Sequence, residues 1–356
     1  MKITIDCRHI NSSGIGVYLK ECLQFLLDSG NEFQLLGYTN DLIFVSNHPN
    51  IELINCTIKP FSLRDTFLFP RRILKKINHS DAFYSPYFNI PCGIEVPIYT
   101  TIHDIIFPDM PELTSRLGLL ARMFFYRRSF QRSKKIFTVS HFSKSRIVFY
   151  SRGKKSIIVT SNAIKSYLFK NHLTAEEIKK KEYILFIGNI KRHKGLNCLL
   201  EAFFEAKKHN LRHSLVIIGN ETDFRSKDNF FHEKLSAFKS EEVKFLYSVS
   251  DNELRYLLAE ASLLVQPSLY EGFGLPPLEA MFFGTKALIS DIPVFHEIYN
   301  EFPVTFFKTG DPNDLKEKLL LLLLDKEPER IHLSDELKNK YSYKETSETI
   351  IREISD

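Results

Sequence analysis

Cysteine is scarce in this sequence, and its five residues are scattered along the chain, with no Cys-x-x-Cys pair among Cys7, Cys22, Cys56, Cys92 and Cys198. Disulfide scaffolds and structural zinc sites both depend on paired or closely spaced cysteines. The scarcity therefore argues against both kinds of site, and it favours a reducing compartment.

Long apolar runs are also missing. Met1 is followed at once by the strand-like pattern KITID, with no apolar run of signal-peptide length. The six leucines at 319–324 are far too few to cross a bilayer, which takes about 20 apolar residues. We therefore expect a cytoplasmic protein that is not integral to a membrane.

Acidic residues are absent from one long span, since no Asp or Glu occurs between Glu112 and Glu176, where 14 Lys and Arg residues lie. Residues 1–165 hold 22 basic and 12 acidic residues, against 26 and 31 in residues 166–356. A basic half typically faces nucleic acid or an anionic membrane, and a solvated basic face is the alternative. No nucleic-acid-reading motif accompanies it, so we expect no nucleic-acid partner.

Apolar strand patterns alternate with helical patterns in both halves of the chain. In the first half KITIDC, EFQLLGYT, IELINC, AFYSPY, PIYTTIHD and KKIFTVS read as strands, and the pattern restarts at YILFIGN after a polar linker near 166–181. Such alternation indicates parallel α/β sheets. We predict two Rossmann-like domains facing across a cleft, at 1–168 and 182–340. Residues 341–356 would form a helix that could cross back to the first domain.

The segment YEGFGLPPLEAMFFG, at 270–284, combines a Gly-x-Gly turn with two prolines that suit a helix start. It follows an apolar strand, so the N–H groups of Phe273, Gly274 and Leu275 can converge on one spot, where the helix dipole adds partial positive charge. The pattern predicts a phosphate site made from backbone, which the glycines allow a bulky anion to approach.

Two glutamates flank this predicted phosphate site. Glu279 lies one turn into the helix and could accept hydrogen bonds from a ribose, whereas Glu271 precedes the turn and could bind a second polyol. Ribose, phosphates and a second polyol together describe a nucleotide sugar. The alternatives are a helix-terminal acid beside a solvated loop acid, or a glycosidase-like carboxylate pair, which the intervening turn disfavours.

The same segment resembles the Glu-x7-Glu signature of the retaining glycosyltransferases of family 4, the group 1 family, which adopt the GT-B fold. The likeness extends along the chain through DCRHINSSGIGVY, TIHDIIFPDMPE, KIFTVSHFSK, ILFIGNIKRHKGLNCLLEAF and VKFLYSVSDNELRYLLAEA. It is most similar to the bacterial mannosyl- and rhamnosyltransferases of surface-polysaccharide assembly. The resemblance implies a nucleotide diphosphate sugar as the donor.

A second predicted donor-binding segment, GNIKRHKG, follows the first strand of the second half. A cation there would neutralise a diphosphate leaving group, and by the resemblance Lys194 matches the family's diphosphate lysine. The family often has an arginine where this chain has Asn189, which leaves Arg192 as a substitute. Basic surface residues at a helix start are the alternative reading of both cations.

Three residues of the first half are candidate donor contacts. Gly14 and Gly16 follow the first strand and allow close backbone approach to phosphate or sugar, although the family usually has arginine where this chain has Val17. His103 follows a strand and should face the cleft; the matching histidine of the family contacts the donor sugar. A satisfied structural histidine is the alternative, and Asp104 could orient the imidazole or cap the next segment.

No Asp-x-Asp pair is placed like a metal site, and a lysine with a helix dipole makes a metal unnecessary for stabilising the leaving group. We therefore predict no metal and no cofactor beyond the sugar donor. Two segments could touch an anionic membrane: FLFPRRILKKI, at 67–77, and a basic amphipathic helix predicted over 118–135. The alternative for the helix is packing of Met123, Phe124 and Phe130 into the core.

Together these patterns predict a metal-independent, retaining hexosyltransferase, with mannose as one candidate sugar and His103, Glu271 and Lys194 as its catalytic residues. It would act at the inner face of the membrane on a lipid-linked oligosaccharide of O-antigen, capsule or a related polysaccharide. A non-catalytic accessory subunit with the same fold, which only binds the nucleotide sugar, is the alternative.

Overall fold

The structure is a computed structural model that describes residues 1–169, 178–219, 242–247 and 249–356. The chain divides into two units, Met1–Lys165 with Tyr341–Asp356, and Ser166–Lys340. The boundary at Lys165 lies three residues before the expected end of the first domain. Residues 170–177 of the expected linker lie outside the described residues.

The first unit is built on one parallel sheet of seven strands. Their bounds are Lys2–Asp6 (β1), Glu32–Gly37 (β2), Ile51–Asn55 (β3), Ala82–Ser85 (β4), Ile98–Thr101 (β5), Ser133–Thr138 (β6) and Ser156–Val159 (β7). They lie in the order β3-β2-β1-β4-β5-β6-β7. Four of the five residues of β1 are buried, as expected of a parallel sheet covered on both faces. Strand β7 was not predicted.

Helices cover this sheet. Their bounds are Ser13–Leu27 (α1), Leu63–Phe67 (α2), Arg71–Ile77 (α3), Ile106–Asp109 (α4), Arg116–Arg132 (α5) and His141–Ser151 (α6). The helix predicted over 118–135 is α5, but it ends at Arg132, because Lys134 and Lys135 belong to β6. Short 3-10 helices span Thr39–Val45 and Pro111–Leu113.

The second unit repeats the plan with six parallel strands. Their bounds are Lys181–Ile187 (β8), Ser214–Ile218 (β9), Val243–Leu246 (β10), Ala261–Gln266 (β11), Lys286–Ser290 (β12) and Val304–Phe307 (β13). The order β10-β9-β8-β11-β12-β13 reproduces that of the first six strands of the other sheet. This is the Rossmann order, so the expected pair of Rossmann-like domains is confirmed; β13 was not predicted.

The structure describes six α-helices in the second unit, one of which begins at the predicted phosphate site. Their bounds are Leu196–Lys207 (α7), Asp251–Glu260 (α8), Leu275–Phe282 (α9), Pro293–Tyr299 (α10), Pro312–Leu323 (α11) and Asp335–Asn339 (α12). No helix within the described ranges is long and apolar enough to span a bilayer.

The C-terminal helix, Tyr343–Ser355 (α13), belongs to the first unit. Its Ile350 and Ile354 are buried in the apolar core beside β1 and α1. Tyr99 donates a hydrogen bond to the carbonyl of Ile354 at 3.2 Å, and Lys135 pairs with the Glu353 carboxylate at 3.0 Å. These contacts join the last residues of the chain to β5 and β6.

Candidate functional site

The loop that carries Lys194 packs against the end of β11. The 3-10 helix Arg192–Lys194 ends at Gly195, whose φ of +69° lies in the left-handed region. A Cβ at this glycine would stand 1.8 Å from the carbonyl oxygen of Pro267, which is far inside any van der Waals contact. Only glycine therefore lets the backbone approach this closely.

A backbone hydrogen bond joins the same two loops, since the Leu269 N–H donates to the carbonyl of His193 at 2.7 Å. The loops follow β8 and β11, which are neighbours in the sheet. Because the carboxyl ends of parallel strands meet at one edge, the two loops lie side by side where ligands of such sheets bind.

Lys194 and Glu271 form an ion pair across these loops. The Lys194 Nζ lies 2.7 Å from Glu271 Oε1 and 2.8 Å from Oε2. The side chains are only 20% and 9% exposed, so the pair is poorly screened by water. The structure thus brings together two of the three predicted catalytic residues.

Two buried polar side chains hold the Glu271 carboxylate. Ser268 donates to Oε1 at 2.8 Å, and Gln266 donates to the same oxygen at 3.4 Å and to Ser268 Oγ at 3.0 Å. The Ser290 hydroxyl in turn donates to the carbonyl of Ser268 at 2.5 Å. Burial by itself raises the pKa of Glu271, but Lys194 and the Ser268 hydrogen bond outweigh it and lower that pKa. Glu271 is therefore a carboxylate at neutral pH.

The predicted helix start is built on a glycine in the left-handed region. Gly274 has a φ of +85°, and a Cβ there would lie 2.4 Å from the ring of Phe295. The helix begins at Leu275. Because Leu275 is the first helical residue, helix geometry supplies no acceptor within the helix for its N–H, and Pro276 carries no N–H at all.

Tyr299 ties this helix start together. It is fully buried, its hydroxyl donates to the carbonyl of Gly274, and it accepts from the Leu278 N–H at 3.2 Å. Sequence reasoning did not identify Tyr299, because it lies 25 residues after Gly274, and a tyrosine at a helix end reads as core. Phe273, whose N–H was a candidate donor contact, has a buried side chain.

Glu279 lies in α9 one turn after Leu275, and only 2% of it is exposed. The position is the one expected from the Glu-x7-Glu spacing. Burial of a glutamate at this depth is costly unless it meets polar groups. The solvated-acid alternative applied to Glu271, and a side chain that is only 9% exposed does not fit it.

The remaining candidates of this loop differ in position. Arg192 is exposed, and Asn189 is half-buried with its carbonyl accepting from the Lys191 N–H at 2.8 Å. Neither side chain is joined to Glu271 by a hydrogen bond in the described part of the chain, so their donor-binding roles stay predictions. Burial, followed by the Lys194 charge, lowers the pKa of the neighbouring His193 to about 4.

In the first unit, Gly14 and Gly16 lie in the first turn of α1, which begins at Ser13. The sequence pattern predicts a loop through residue 16 and a helix from Val17. This prediction is wrong, because the Ser12 carbonyl accepts from the Gly16 N–H at 2.9 Å and closes the first turn. A Cβ at Gly16 would lie 2.3 Å from the Ile10 carbonyl oxygen, whereas Gly14 has open space around it. Gly16 is thus required by packing, and Gly14 is the one with room for a ligand.

A buried charge cluster anchors the loop before α1, and sequence reasoning passed over it. Arg8 donates to both oxygens of Asp6, at 2.8 and 2.6 Å, and to Asp65 at 2.6 Å. All three side chains are at most 3% exposed. Burial alone lowers the pKa of Arg8, but the two carboxylates outweigh it and raise that pKa. The signal was the arginine of the D-x-R pattern, which was read only as part of a resemblance.

His103 follows β5, as predicted, and is half-buried. Its Nε2 lies 3.0 Å from the carbonyl oxygen of Pro86; a carbonyl only accepts, so Nε2 carries the proton. Burial lowers the pKa of His103 to about 4. The imidazole is therefore neutral at pH 7, with the lone pair on Nδ1. Tyr18 packs its ring edge-on at 4.8 Å, and Asp104 accepts from the Ile106 N–H at 3.1 Å, which caps the next segment.

Within the described ranges, no three His, Cys, Asp or Glu side chains are grouped as metal ligands. The donors that converge at the Lys194 loop are instead cationic or amide groups, which suit an anion.

Comparisons with known proteins agree with these features. Residues 170–340 match a family model described as "Glycosyl transferases group 1". The chain is 30% identical over 276 residues to the O-antigen chain mannosyltransferase RfbU of Salmonella typhimurium, which covers 75% of this chain and 71% of that protein. It is 29% identical over 244 residues to the O-antigen chain mannosyltransferase B of Escherichia coli, covering 65% of this chain and 62% of that one.

Among solved structures, the chain is similar to Anabaena HepE, crystallised with UDP and glucose. The TM-score is 0.73 at 16% identity, over 100% of this chain and 99% of HepE. Identity at this level shows the fold alone, which is the expected GT-B fold.

The first prediction concerns the buried ion pair. Replacing Lys194 by Met should lower the free energy of unfolding by about 3 kcal/mol, because it leaves a buried carboxylate without its cation. The double variant Lys194→Met/Glu271→Gln should regain most of that loss, as chemical denaturation would show.

A matched control is Lys208→Met, since Lys208 also lies 2.7 Å from a glutamate, Glu205, but both side chains are largely exposed. An exposed pair contributes little, so this variant should unfold like the unsubstituted protein. Equal losses for Lys208→Met and Lys194→Met would contradict the account.

The second prediction concerns pH. The pKa of His103 is about 4 in the folded chain and about 6.5 ordinarily, so the unfolded chain takes up this proton first as pH falls. The associated stability is present above pH 6.5 and is lost between pH 6.5 and 4. His103→Gln should therefore lose less melting temperature than the unsubstituted protein between pH 7.5 and 5. Identical losses would show that His103 is not held neutral.

Proposed function

Because the chain belongs to the group 1 glycosyl transferases, we propose that it transfers mannose, with retention of configuration, from a nucleotide diphosphate mannose to a lipid-linked oligosaccharide. The sugar and the O-antigen pathway are proposed from the printed names of RfbU and the Escherichia coli relative. A bound UDP and glucose in the Anabaena structure support a nucleotide sugar as the class of donor.

The observation that carries the proposal is the Lys194–Glu271 pair at the edge of the sheet. Lys194 can turn from Glu271 to an oxygen of the donor diphosphate, where its positive charge stabilises the charge that develops on the leaving group. The carboxylate it leaves remains held by Ser268 and can accept hydrogen bonds from hydroxyls of the donor sugar. The same movement of Lys194 thus places a positive charge on the leaving group and frees Glu271 for the donor sugar.

The start of α9 supplies the second contact to the diphosphate. The Leu275 N–H and the dipole of the helix favour an anion, and the left-handed Gly274 places no Cβ against the Phe295 ring. Glu279, buried one turn further on, is proposed to bind the ribose hydroxyls of the nucleotide. Gly14, Asn189 and Arg192 are proposed as further donor contacts.

His103 is proposed to act as a neutral hydrogen-bond acceptor and not as an acid. Its Nε2–H donates a hydrogen bond to the Pro86 carbonyl, so Nδ1 can accept from a hydroxyl of the donor sugar. This orients the sugar without adding a second positive charge, which fits an imidazole whose pKa is about 4.

In the proposed reaction, the bond between the anomeric carbon and the diphosphate oxygen breaks, and a bond to the acceptor oxygen forms on the same face of the sugar. The acceptor's proton passes to the departing diphosphate. No protein nucleophile and no metal is proposed for this step, because the lysine and the helix start provide the charge that the leaving group needs.

A purified-protein assay tests the proposal. Mannose transfer from a nucleotide diphosphate mannose to a polyprenyl-linked oligosaccharide should be observed, and its rate should change little in EDTA. Thermal shifts with GDP, UDP, CDP and ADP identify the base, since the bound nucleotide stabilises the fold.

Lys194→Ala should slow transfer about 10- to 1,000-fold. Activity abolished by EDTA and restored by Mg²⁺ or Mn²⁺ would overturn the metal-free step. Donor binding without transfer or hydrolysis would favour an accessory subunit.

The two glutamates should separate in kinetics. Glu279→Ala should weaken nucleotide binding in calorimetry, because it removes the proposed ribose contact. Glu271→Ala should mainly lower kcat, because it removes a group beside the reacting sugar. Glu317→Ala, an exposed change in α11, is the control and should alter neither quantity. A Glu271→Ala enzyme with an unchanged transfer rate would rule out the role given to this residue.

A further inference from the structure

One surface of the first unit exposes large apolar side chains on two neighbouring helices. On α2 and the residue after it, Leu63, Phe67 and Leu68 are 78%, 61% and 74% exposed. On α5, Leu117, Leu120 and Phe124 are 80%, 65% and 46% exposed. Exposed apolar groups clustered in this way mark interaction surfaces far more often than scattered ones do.

The two groups are continuous. The ring centroids of Phe67 and Phe124 lie 6.4 Å apart, which joins α2 to α5. Along α5 the spacing of Leu117, Leu120 and Phe124 by three and four residues places them on one face, an apolar stripe opposite the buried Tyr126. The helix therefore packs Phe130 into the core and leaves Phe124 46% exposed, so the core-packing alternative holds for Phe130 and is wrong for Phe124. Contact of this helix with a membrane stays a prediction.

Basic side chains border this stripe. Arg64 on α2 and Arg71, Arg72 and Lys75 on α3 are exposed, and within the described residues none of them is paired with a carboxylate. Arg127 is also exposed, and it continues the face of Phe124 one turn further along α5. Helix α3 begins three residues after Leu68, and its Leu74 lies next to Gly93 in the loop whose Pro91 carbonyl accepts from Arg128 of α5. We therefore include its basic side chains in this surface. We call these residues, apolar and basic together, the α2–α5 face.

Other cations of the acid-free span are occupied within the unit. Arg128 donates to the carbonyls of Ile90 and Pro91 at 3.2 Å, Arg132 donates to the carbonyl of Ile94, and Lys135 pairs with Glu353. The membrane role expected from the basic span therefore cannot be assigned to every basic residue of that span, because some of them are already bonded within the unit. The cations that we assign to a partner are those of the α2–α5 face.

We propose that the α2–α5 face docks on an anionic lipid bilayer, with its apolar side chains inserted at the level of the headgroups and upper acyl chains and its basic side chains on lipid phosphates. An apolar centre with a basic border is what such a surface requires. A second copy of the chain is a poor occupant, because a symmetric contact would set the basic borders against each other. Docking on a bilayer does not depend on the proposed function. Only its purpose, access to a lipid-linked acceptor, rests on that function.

Attachment through this face should resist salt only in part. High salt screens the phosphate contacts, with a Debye length of about 3 Å at 1 M, but leaves the inserted apolar groups in place. We expect sedimentation with phosphatidylglycerol vesicles, and weaker sedimentation both in 1 M salt and with phosphatidylcholine vesicles.

Two triple variants test the face. Leu63→Ser/Leu120→Ser/Phe124→Ser and Arg71→Ser/Arg72→Ser/Lys75→Ser should each reduce vesicle binding at least tenfold. The control Tyr256→Ser/Leu321→Ser removes apolar groups that are equally exposed in the second unit, and it should bind vesicles within twofold of the unsubstituted protein. All replaced side chains are exposed, so melting temperatures and nucleotide binding should stay unchanged. Nucleotide binding is read separately, so a failed donor assay would not be mistaken for failed docking.

The chain contains no tryptophan, so a single introduced indole reports insertion directly. The emission of Phe124→Trp should shift to the blue and be quenched by brominated phosphatidylglycerol, whereas Tyr256→Trp, at a site equally exposed, should show neither effect. The proposal is overturned if both triple variants still bind vesicles normally, or if the Phe124→Trp emission ignores the lipid. It is also overturned if the apolar variant converts a dimer to a monomer, because the face would then be a self-association surface.

Discussion

The Lys194–Glu271 ion pair is the interaction on which the candidate site depends. It can form only because the loop after β8 reaches the end of β11, and that approach requires a glycine at 195, where any side chain would collide with Pro267. Buried ion pairs contribute little net stability, since desolvation offsets most of their attraction. Its hydrogen-bonded setting, with Ser268 and Gln266 on one carboxylate, is therefore better explained by function than by stability.

A few residues likewise fix the start of α9. A left-handed Gly274, a proline without an N–H, and the buried Tyr299 hydroxyl together fix where the helix begins and which amide faces outward. The neutral His103 follows this logic in the first unit, where burial and the Pro86 carbonyl remove its charge but leave it an acceptor. Each group offers one polar atom in a defined state, which is what binding of an anionic, hydroxyl-rich donor requires.

Sequence reasoning reached the sheets and the principal charges because these leave local signals. The central strands are continuous apolar runs, and residues 270–284 combine glycines, prolines and glutamates in one short segment. It missed β7 and β13, which are four-residue edge strands with only one buried side chain each and so carry a weaker apolar pattern. It also began α1 too late, because Gly14 and Gly16 read as loop although Ser12 already closes the first turn.

What could not be predicted depends on contacts between distant residues. Ser268 and Tyr299 are ordinary in sequence and become informative only beside Glu271 and Gly274. Likewise the basic residues of α5 look alike in sequence, and only the structure separates Arg128, held by backbone carbonyls, from the exposed Arg127. Partner assignments of this kind require three-dimensional packing, which periodicity does not encode.

The central claim is that Lys194 moves from Glu271 to the donor diphosphate, and a crystal structure with a bound nucleoside diphosphate tests it most directly. The account predicts the Lys194 Nζ within hydrogen-bonding distance of a phosphate oxygen, with at least one of its two contacts to Glu271 broken and Ser268 still bonded to that carboxylate. A diphosphate bound elsewhere, with Lys194 still 2.7 and 2.8 Å from the two Glu271 oxygens, would contradict it.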